Sequence, residues 1–302
     1  MNLVVGATGL LGTRICERLK AENQPVRALV RETSDSGKVS FLKSLGCELA
    51  IGDLKDSTQI QTACQGVSAV ISTASSTFSR QPGDSIESVD LRGQLDLANA
   101  ARDAGVRRFV FVSFRDNPVV QYPLTRAKRA MEKAIADLDF TSIQASYFME
   151  VWLSPAVGFD YPNAKARIYG SGTNPISWIS YRDVAEFCIQ SVLGHLGGRS
   201  VIEVGGPEAL TPHDVVKIFE EESGRRFEVE SVPEEQVKSQ FDTASDPMEK
   251  SFAGLMLAYA RGDAMDMSWL PASSPVRLTS VRDYARTVAG KLDSTAAGVA
   301  AG

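Results

Sequence analysis

The chain is poor in the residues on which most metal and disulfide chemistry depends. Its 302 residues include four cysteines and two histidines. The cysteines are scattered without metal-ligand spacing, and neither His195 nor His213 has neighbours suited to a metal site or a catalytic triad. Cysteines of this kind are typical of reduced thiols in a cytosolic protein. We therefore expect a cytoplasmic location and no metal.

The chain also lacks an excess of positive charge and any long apolar run. Lys and Arg total 32 against 37 Asp and Glu, so the net charge is −5 at pH 7. Nucleic-acid binding needs a clustered basic face, which this balance argues against. No apolar run approaches the length of a membrane span, and the first predicted strand begins too early for a signal peptide. We expect neither a nucleic-acid nor a membrane partner.

The stretch at the N-terminus carries the motif around which the rest is organised. A short apolar run, 3–5, ends at Gly6, and an amphipathic helical pattern begins near Leu10. Gly6, Gly9 and Gly12 follow the spacing Gly-x-x-Gly-x-x-Gly. Between a strand and a helix, such glycines permit a tight turn, a close approach of backbone N–H groups to a pyrophosphate, and close helix packing. The helix N-terminus adds a partial positive charge, so the turn predicts a dinucleotide site; the alternative is an ordinary turn.

Short apolar runs alternate with helical patterns up to about residue 145. This alternation predicts an α/β fold with a doubly wound parallel (Rossmann) sheet over residues 1–150. Such sheets bind ligands at the carboxyl ends of their strands. From 151 to 293 the rhythm loosens, which predicts a smaller α+β substrate lobe interleaved with the first domain and including a strand at 176–179. The alanine- and glycine-rich segment 294–302 is predicted to be a disordered tail.

The end of the second predicted strand indicates which dinucleotide is bound. Arg31 ends this strand, and Thr33, Ser34 and Lys38 follow closely in what is predicted to be a polar loop. Two cations and two hydroxyls suit the 2′-phosphate of NADP, whereas an NAD site usually places a carboxylate there. Glu32 could instead bond the ribose 2′-hydroxyl of NAD. A third interpretation is a basic loop that contacts only solvent. NADP is favoured over NAD.

Two further strand ends offer cofactor contacts. After the third strand, Asp53 could hydrogen-bond the adenine while Leu54 packs on its face, although Asp53 could equally cap the next helix. After the fourth strand, Thr73 and Ala74 belong to a run of small residues that would let the cofactor backbone pass close by. Without a cofactor, this run is simply a loop.

These residues together resemble the atypical short-chain dehydrogenases, in particular their NmrA-like and isoflavone-reductase-like group. The resemblance rests on the glycine spacing, Arg31, 52–54, Val112-Ser113 and Lys128, and it covers residues 1–155 well. That group also has similar sequence in three further places: the segment 29–33 together with Lys38, the motif Lys128-x-x-x-Glu132, and the segment 146–150. Beyond residue 155 it rests on 179–184, a strand-to-helix segment typical of the extended family. The resemblance implies an NADPH-reading loop at 29–38 and a lysine acid/base at Lys128.

The chain departs from ordinary short-chain dehydrogenases at their Tyr-x-x-x-Lys motif. Arg126 lies four residues after Tyr122, and Lys128 lies six residues after it, on a different helix face. The isoflavone-reductase-like group shares this absence. Lys128 would bond the nicotinamide ribose and relay a proton, which needs a pKa below the usual value of about 10.4. The alternative is a surface lysine paired with Glu132.

The second half offers apolar groups for a substrate. Tyr147 and Phe148 either lie against the nicotinamide or are core aromatics. The following residues enrich the second lobe in soft apolar groups, which suit an apolar aromatic or quinone-like ligand or an ordinary core: Met248, Phe252, Met256, Met265, Met267 and Trp269.

The sequence therefore predicts an NADPH-dependent reductase, monomeric or homodimeric, that passes hydride to a small apolar acceptor such as a quinone, enone or aromatic carbonyl. The alternative is a non-catalytic NADP(H)-binding sensor that contacts a regulatory partner. A sugar-nucleotide epimerase is disfavoured because that chemistry uses the missing Tyr-x-x-x-Lys pair. The residues expected to bind the cofactor, with Lys128 also the catalytic residue, are Gly6, Thr8, Gly9, Leu10, Leu11, Gly12, Arg31, Thr33, Lys38, Asp53, Leu54, Thr73, Ala74, Ser113, Lys128, Tyr147 and Phe148.

Overall fold

A computed structural model describes residues 1–77, 81–115, 120–196 and 200–300, with side chains as far as residue 290. The strands are β1 Asn2–Val5, β2 Val26–Val30, β3 Glu48–Ile51, β4 Ala69–Ser72, β5 Arg108–Phe114, β6 Phe140–Ala145, β7 Phe159–Asp160, β8 Lys165–Tyr169, β9 Ser200–Val204 and β10 Glu228–Val232. The helices are α1 Leu10–Ala21, α2 Ser36–Ser44, α3 Ser57–Cys64, α4 Gln94–Asp103, α5 Pro123–Ala134, α6 Met149–Trp152, α7 Tyr181–Val192, α8 Pro212–Ser223, α9 Glu234–Thr243, α10 Pro247–Arg261 and α11 Val281–Ala300. A π-helical segment, Ile86–Gly93, precedes α4.

The first of two compact units contains a seven-stranded sheet in the order β3-β2-β1-β4-β5-β6-β9. Neighbouring strands from β3 to β5 run parallel. The chain leaves β1 towards β2 on one side and later returns to β4 on the other, so the strand order reverses between β1 and β4. A doubly wound sheet opens a crevice at this reversal, outside the carboxyl ends of the strands. The predicted α/β Rossmann architecture is confirmed.

The core of the first unit lies on both faces of its central strands. Every residue of β1 and β4 is buried, as expected of strands that helices cover on both sides. Leu3, Val70 and Phe109 are completely inaccessible and pack with apolar residues of the flanking helices. These strands fix the positions of the loops that leave their carboxyl ends.

The helical segment between β4 and β5 has two parts with different hydrogen bonding. Its first eight residues, Ile86–Gly93, are π-helical, and the side chains of Ser85 and Ser88 form a reciprocal capping box at its start. Regular α-helix begins only at Gln94. π-Helical segments are uncommon and occur frequently at functional sites.

The second unit comprises Ala145–Asp183, Val204–Ser245 and Phe252–Gly302, while Val184–Glu203 and Asp246–Ser251 belong to the first. It contains a mixed three-stranded sheet in the order β10-β8-β7, with β10 parallel and β7 antiparallel to β8. The strand predicted at 176–179 is wrong. Ile176 forms only isolated bridges to Leu210 and Asp263, so this segment has no continuous ladder.

Helix α11 is assigned as far as Ala300, and residues 301 and 302 of the predicted disordered tail lie outside the described residues. Across the part of the chain that the structure describes, no helix combines the length and apolarity needed to cross a membrane.

Candidate functional site

Two glycines of the turn after β1 are required by the fold itself. Gly6 has φ +84°, and a Cβ there would lie 2.7 Å from Thr73 Oγ1 and 2.9 Å from the Ala74 nitrogen. A Cβ on Gly12 would lie 2.1 Å from the Gly6 carbonyl oxygen. Gly6 therefore lets β1 pass close to the end of β4, and Gly12 lets α1 pack onto the turn.

Gly9 has a different role, because the fold alone does not exclude a side chain there. Its φ of −77° suits any residue, and a Cβ would meet only the Gly6 carbonyl oxygen, at 3.1 Å. Gly9 is the N-cap of α1, and no side chain caps this helix. The backbone N–H groups of Leu10, Leu11 and Gly12 thus begin the helix without a side-chain cap, beside half-buried Thr8. A bare helix N-terminus of this kind fits an anion such as a pyrophosphate.

Arg31, at the end of β2, lies in an ion-pair cluster that the sequence did not predict. Its Nη1 donates to Asp84 Oδ2 at 2.7 Å. Lys55 donates to the other oxygen of Asp84 and, at 3.0 Å, to Asp53 Oδ2. The cluster of Arg31, Lys55, Asp53 and Asp84 holds two cations and two carboxylates, so its formal charges cancel.

Hydrogen bonding keeps Asp84 ionised although its side chain is almost inaccessible. Burial acts to raise the pKa of Asp84, but hydrogen bonds from Lys55, Arg31 and the Gln81 backbone N–H outweigh it and lower the pKa below its ordinary value. The carboxylate therefore holds both cations at the carboxyl ends of β2 and β3.

The residues after Arg31 differ from the predicted polar loop. α2 begins at Ser36, inside the segment predicted to be a loop, so Lys38 lies in the first turn of this helix. Lys38 is exposed, and its backbone N–H donates to Asp35 Oδ1, which caps the helix. Thr33 is exposed, and its carbonyl oxygen accepts from Gln81. A cation beside the positive end of a helix dipole is electrostatically unfavourable unless an anion joins it.

At the end of β3, the alternative reading of Asp53 as a helix cap is wrong. Asp56 caps α3, accepting from the backbone N–H groups of Thr58 and Gln59. Asp53 instead accepts from the backbone and side chain of Lys55. Leu54 is buried in the core beside Gly93, so its side chain offers little surface to an adenine ring.

Lys128 is buried in the first unit, on α5. Its Nζ donates to the Val112 carbonyl oxygen at 3.2 Å and lies 4.8 Å from the centroid of the Phe111 ring. Burial lowers the pKa of Lys128 below its ordinary value, while the negative charges of Asp90 and Glu132 oppose that shift. A surface lysine paired with Glu132 is thus excluded.

Glu132 is occupied by other partners. Its carboxylate accepts hydrogen bonds from Arg129, Ser142 and Gln144. Arg129 also donates to Ser113 Oγ at 2.7 Å, so the hydroxyl predicted to contact the cofactor is tied to α5.

Tyr147 and Phe148 belong to the second unit. The Tyr147 hydroxyl donates to the Leu255 carbonyl oxygen, and its ring contacts the rings of Trp152 and Tyr259. Phe148 forms an isolated bridge with Ile179. Both aromatic residues are half-buried, and Tyr147 is part of an aromatic cluster within that unit.

Two of the methionines expected to face a substrate line a cavity of about 440 Å³ in the second unit. Met265, Met267 and Leu270 are among the residues that line it, as are the acidic residues Glu208 and Asp266. Its volume is within the range of small-molecule sites.

Sequence reasoning missed Lys55, Asp84 and Asp90. Lys55 directly follows the predicted adenine contact and could have been found as a third cation at neighbouring strand ends. Asp84 precedes the helical pattern by two residues and reads there as an ordinary polar loop residue. Asp90 lies on an otherwise amphipathic helix, where one acidic residue on the apolar face is the only available signal.

The strand order and the glycine turn between β1 and α1 define a Rossmann-type α/β protein. The chain belongs to the NmrA-like family, whose model matches residues 2–285. It is 31% identical over 236 residues to a photosystem II assembly factor Ycf39 from Synechocystis sp., covering 76% of this chain and 70% of that protein. It is 28% identical to the isoflavone reductase homolog IRL of Zea mays, covering 93% and 96%.

Among solved structures, the fold is similar to an NADPH-dependent quinone oxidoreductase from Escherichia coli complexed with NADPH. The TM-score is 0.76 at 19% identity, covering 95% of this chain and 99% of that one. At this identity the likeness shows the shared fold.

Proposed function

We propose that the protein binds NADPH in the first unit and reduces a small apolar acceptor such as a quinone, an enone or an aromatic carbonyl. The observation that carries this proposal is the bare N-terminus of α1 at Gly9, a position that the fold alone does not require to be glycine. The names of relatives support the reaction class, since they include an isoflavone reductase homolog and an NADPH-dependent quinone oxidoreductase.

Backbone groups of the glycine turn would hold the pyrophosphate. The N–H groups of Leu10 and Leu11 supply donors, Thr8 adds a hydroxyl beside them, and Thr73 and Ala74 form the opposite wall at the end of β4. The partial positive charge of the helix N-terminus adds an attraction for the phosphates.

Cations at the end of β2 would select the 2′-phosphate. Arg31 is held in place by Asp84, and Lys38 lies in the first turn of α2, where a second positive charge favours an anion nearby. Asp53 and the hydroxyl of Thr33 would complete the adenosine end of the site. A 2′-hydroxyl would gain less from these cations, so NADP is favoured over NAD.

Lys128 would act as the proton donor. Bound NADPH would supply the hydride, and the protein's share is orientation and electrostatics. Because burial lowers the pKa of Lys128, its ammonium releases a proton more readily near neutral pH than an exposed lysine would. Two hydrogen bonds hold α5 against β5 beside the Lys128 ammonium. Arg129 donates one to the Ser113 hydroxyl, and Lys128 itself donates the other to the Val112 carbonyl oxygen.

A non-catalytic NADP(H)-binding protein that acts through a regulatory partner is the second candidate. It is favoured by one observation, namely that a relative at 31% identity is named as a photosystem II assembly factor. The names of these relatives do not establish a cellular compartment for this chain, so the cytoplasmic location stays a prediction. Both candidates use the same cofactor site and differ in whether an acceptor is reduced.

The test is NADPH oxidation, followed by the loss of reduced-nicotinamide absorbance, against a panel of quinones, enones and aromatic ketones. Turnover with any of them that is lost in Lys128→Met supports the reductase. NADPH binding without turnover on the whole panel favours the regulatory protein, and absence of NADPH binding overturns both.

A further inference from the structure

Asp90 has a buried carboxylate with an unused oxygen. The residue lies on the π-helical segment Ile86–Gly93, and its side chain is 1% exposed. Its Oδ2 accepts from the backbone N–H of Ser76 at 3.0 Å and from the Ser76 hydroxyl at 2.6 Å. Its Oδ1 is buried and has no hydrogen-bond partner among the described residues. A buried carboxylate oxygen in this state is costly unless it serves a second group.

α5 packs against this π-helical segment and carries two polar groups with unused capacity. Lys128 Nζ has three hydrogens, and within the described residues it donates one hydrogen bond, to Val112. Thr125 lies one turn earlier on the same face of α5, and its buried Oγ1 has no partner there either. A carboxylate, an ammonium and a hydroxyl, each incompletely satisfied, thus lie on two packed helices.

The charges around Lys128 come from these same two elements. Burial has the largest influence on the pKa of Lys128, and it destabilises the ammonium. The negative charges of Asp90 on the π-helical segment and Glu132 on α5 stabilise the ammonium, whereas the positive charge of Arg129 on α5 destabilises it. Because Glu132 is already hydrogen-bonded to Arg129, Ser142 and Gln144, its charge is largely compensated. Within the ranges that the structure describes, Asp90 is then the carboxylate left to balance Lys128.

We propose that Asp90 is a positioning residue that holds Lys128 in its charged, proton-donating form, acting across the packed faces of α5 and the π-helical segment. This charge coupling between Asp90 and Lys128 is a property of the protein alone. Its use in proton transfer rests on the proposed reductase function.

The experiment is a pH titration of Lys128 in the protein without NADPH, by NMR of lysine labelled with ¹³C at Cε. The Lys128 signal is assigned by its loss in Lys128→Met. In Asp90→Asn, the titration midpoint of Lys128 is expected to fall by about one pH unit or more, a tenfold loss of proton affinity, because the opposing negative charge is gone. Asp96→Asn is the matched control, since Asp96 is exposed on α4 and should leave the midpoint unchanged.

An unchanged or higher midpoint in folded Asp90→Asn overturns the proposal. If Asp90→Asn does not fold, the double variant Asp90→Asn/Lys128→Met decides, because removing both members of a buried pair should restore folding that loss of one member abolished. A double variant that is no more stable than Asp90→Asn also overturns it. Neither readout needs turnover, so failure of the reductase proposal would leave this one standing.

Discussion

Arg31 and Asp84 form an ion pair between residues 53 positions apart in the chain, with 2.7 Å between Nη1 and Oδ2. The carboxylate side chain is 1% exposed, whereas the guanidinium side chain is 23% exposed. The pair therefore presents a cation towards solvent on a buried anionic support. A preorganised arginine of this kind loses little side-chain freedom when it binds a second anion.

Arg31→Ala should weaken NADPH binding by about ten- to a hundredfold, the range that loss of a charge-assisted hydrogen bond predicts. NADH binding should change by less than about threefold, because NADH has no 2′-phosphate for Arg31 to contact. Calorimetry with both nucleotides measures the difference. Arg92→Ala is the matched control, because Arg92 is an exposed arginine paired with Glu87 on the protein surface. Equal losses of affinity for NADPH and NADH in Arg31→Ala would show that Arg31 does not contact the 2′-phosphate.

Asp84→Asn should make unfolding less sensitive to acid. Because the pKa of Asp84 is lower in the folded state, its ionised form stabilises the fold above its unfolded pKa of about 3.9, and that contribution disappears as pH falls through the folded value. At pH 7 the variant should lose about 1–3 kcal/mol of unfolding free energy. Urea unfolding at pH 7 and at pH 3 measures the difference in unfolding free energy between the wild type and Asp84→Asn, which should be smaller at pH 3. A difference that is the same at both pH values would contradict an ionised Asp84 in the folded state.

The centre of the first sheet could be predicted well from the sequence because its central strands are continuous apolar runs. Strands buried on both faces, such as β4 and β5, need such runs and leave a clear signal. β8 alternates exposed and buried residues, a pattern open to a period-two search, whereas β7 is two residues long and carries almost no pattern. The segment 176–179 is mostly apolar and fully buried, and sequence periodicity alone cannot distinguish such a segment from a strand.

The candidate site was predictable only where neighbouring residues in the chain define it. The glycine turn is local, so its residues could be named from spacing alone. Asp84, the ion-pair partner of Arg31, and Asp90, whose charge acts on Lys128, come from distant segments. In the sequence, both acidic side chains read as ordinary solvated groups. Long-range charge pairing depends on how helices pack on the sheet, and no local pattern in the sequence encodes it.

Gly9→Val should abolish NADPH binding and leave the fold nearly intact. The backbone at Gly9 suits any residue, while a branched side chain would occupy the space beside the first turn of α1. The melting temperature should shift by less than about 4 °C. Gly12→Ala is the contrasting variant, because its Cβ would clash with the Gly6 carbonyl oxygen and should destabilise the fold itself. Calorimetry and thermal unfolding of both variants separate cofactor binding at Gly9 from fold stability at Gly12. If Gly9→Val bound NADPH at the original affinity, the assignment of this turn to the pyrophosphate would be wrong.

Lys128→Met should lower turnover of an acceptor by about a hundred- to ten-thousandfold, the contribution typical of a positioned general acid, and should weaken NADPH binding by a much smaller factor. Methionine fills a similar volume without a charge, but it leaves the buried Asp90 carboxylate without an opposite charge nearby, so the urea midpoint should fall. Lys133→Met is the matched control, because Lys133 is an exposed lysine in the last turn of the same helix. Initial rates across pH add a second readout, since loss of the ammonium should abolish the alkaline limb of the rate profile. If Lys128→Met retained full turnover with an unchanged pH profile, the proton would have to come from water or another group, and Lys128 would be a buried structural residue.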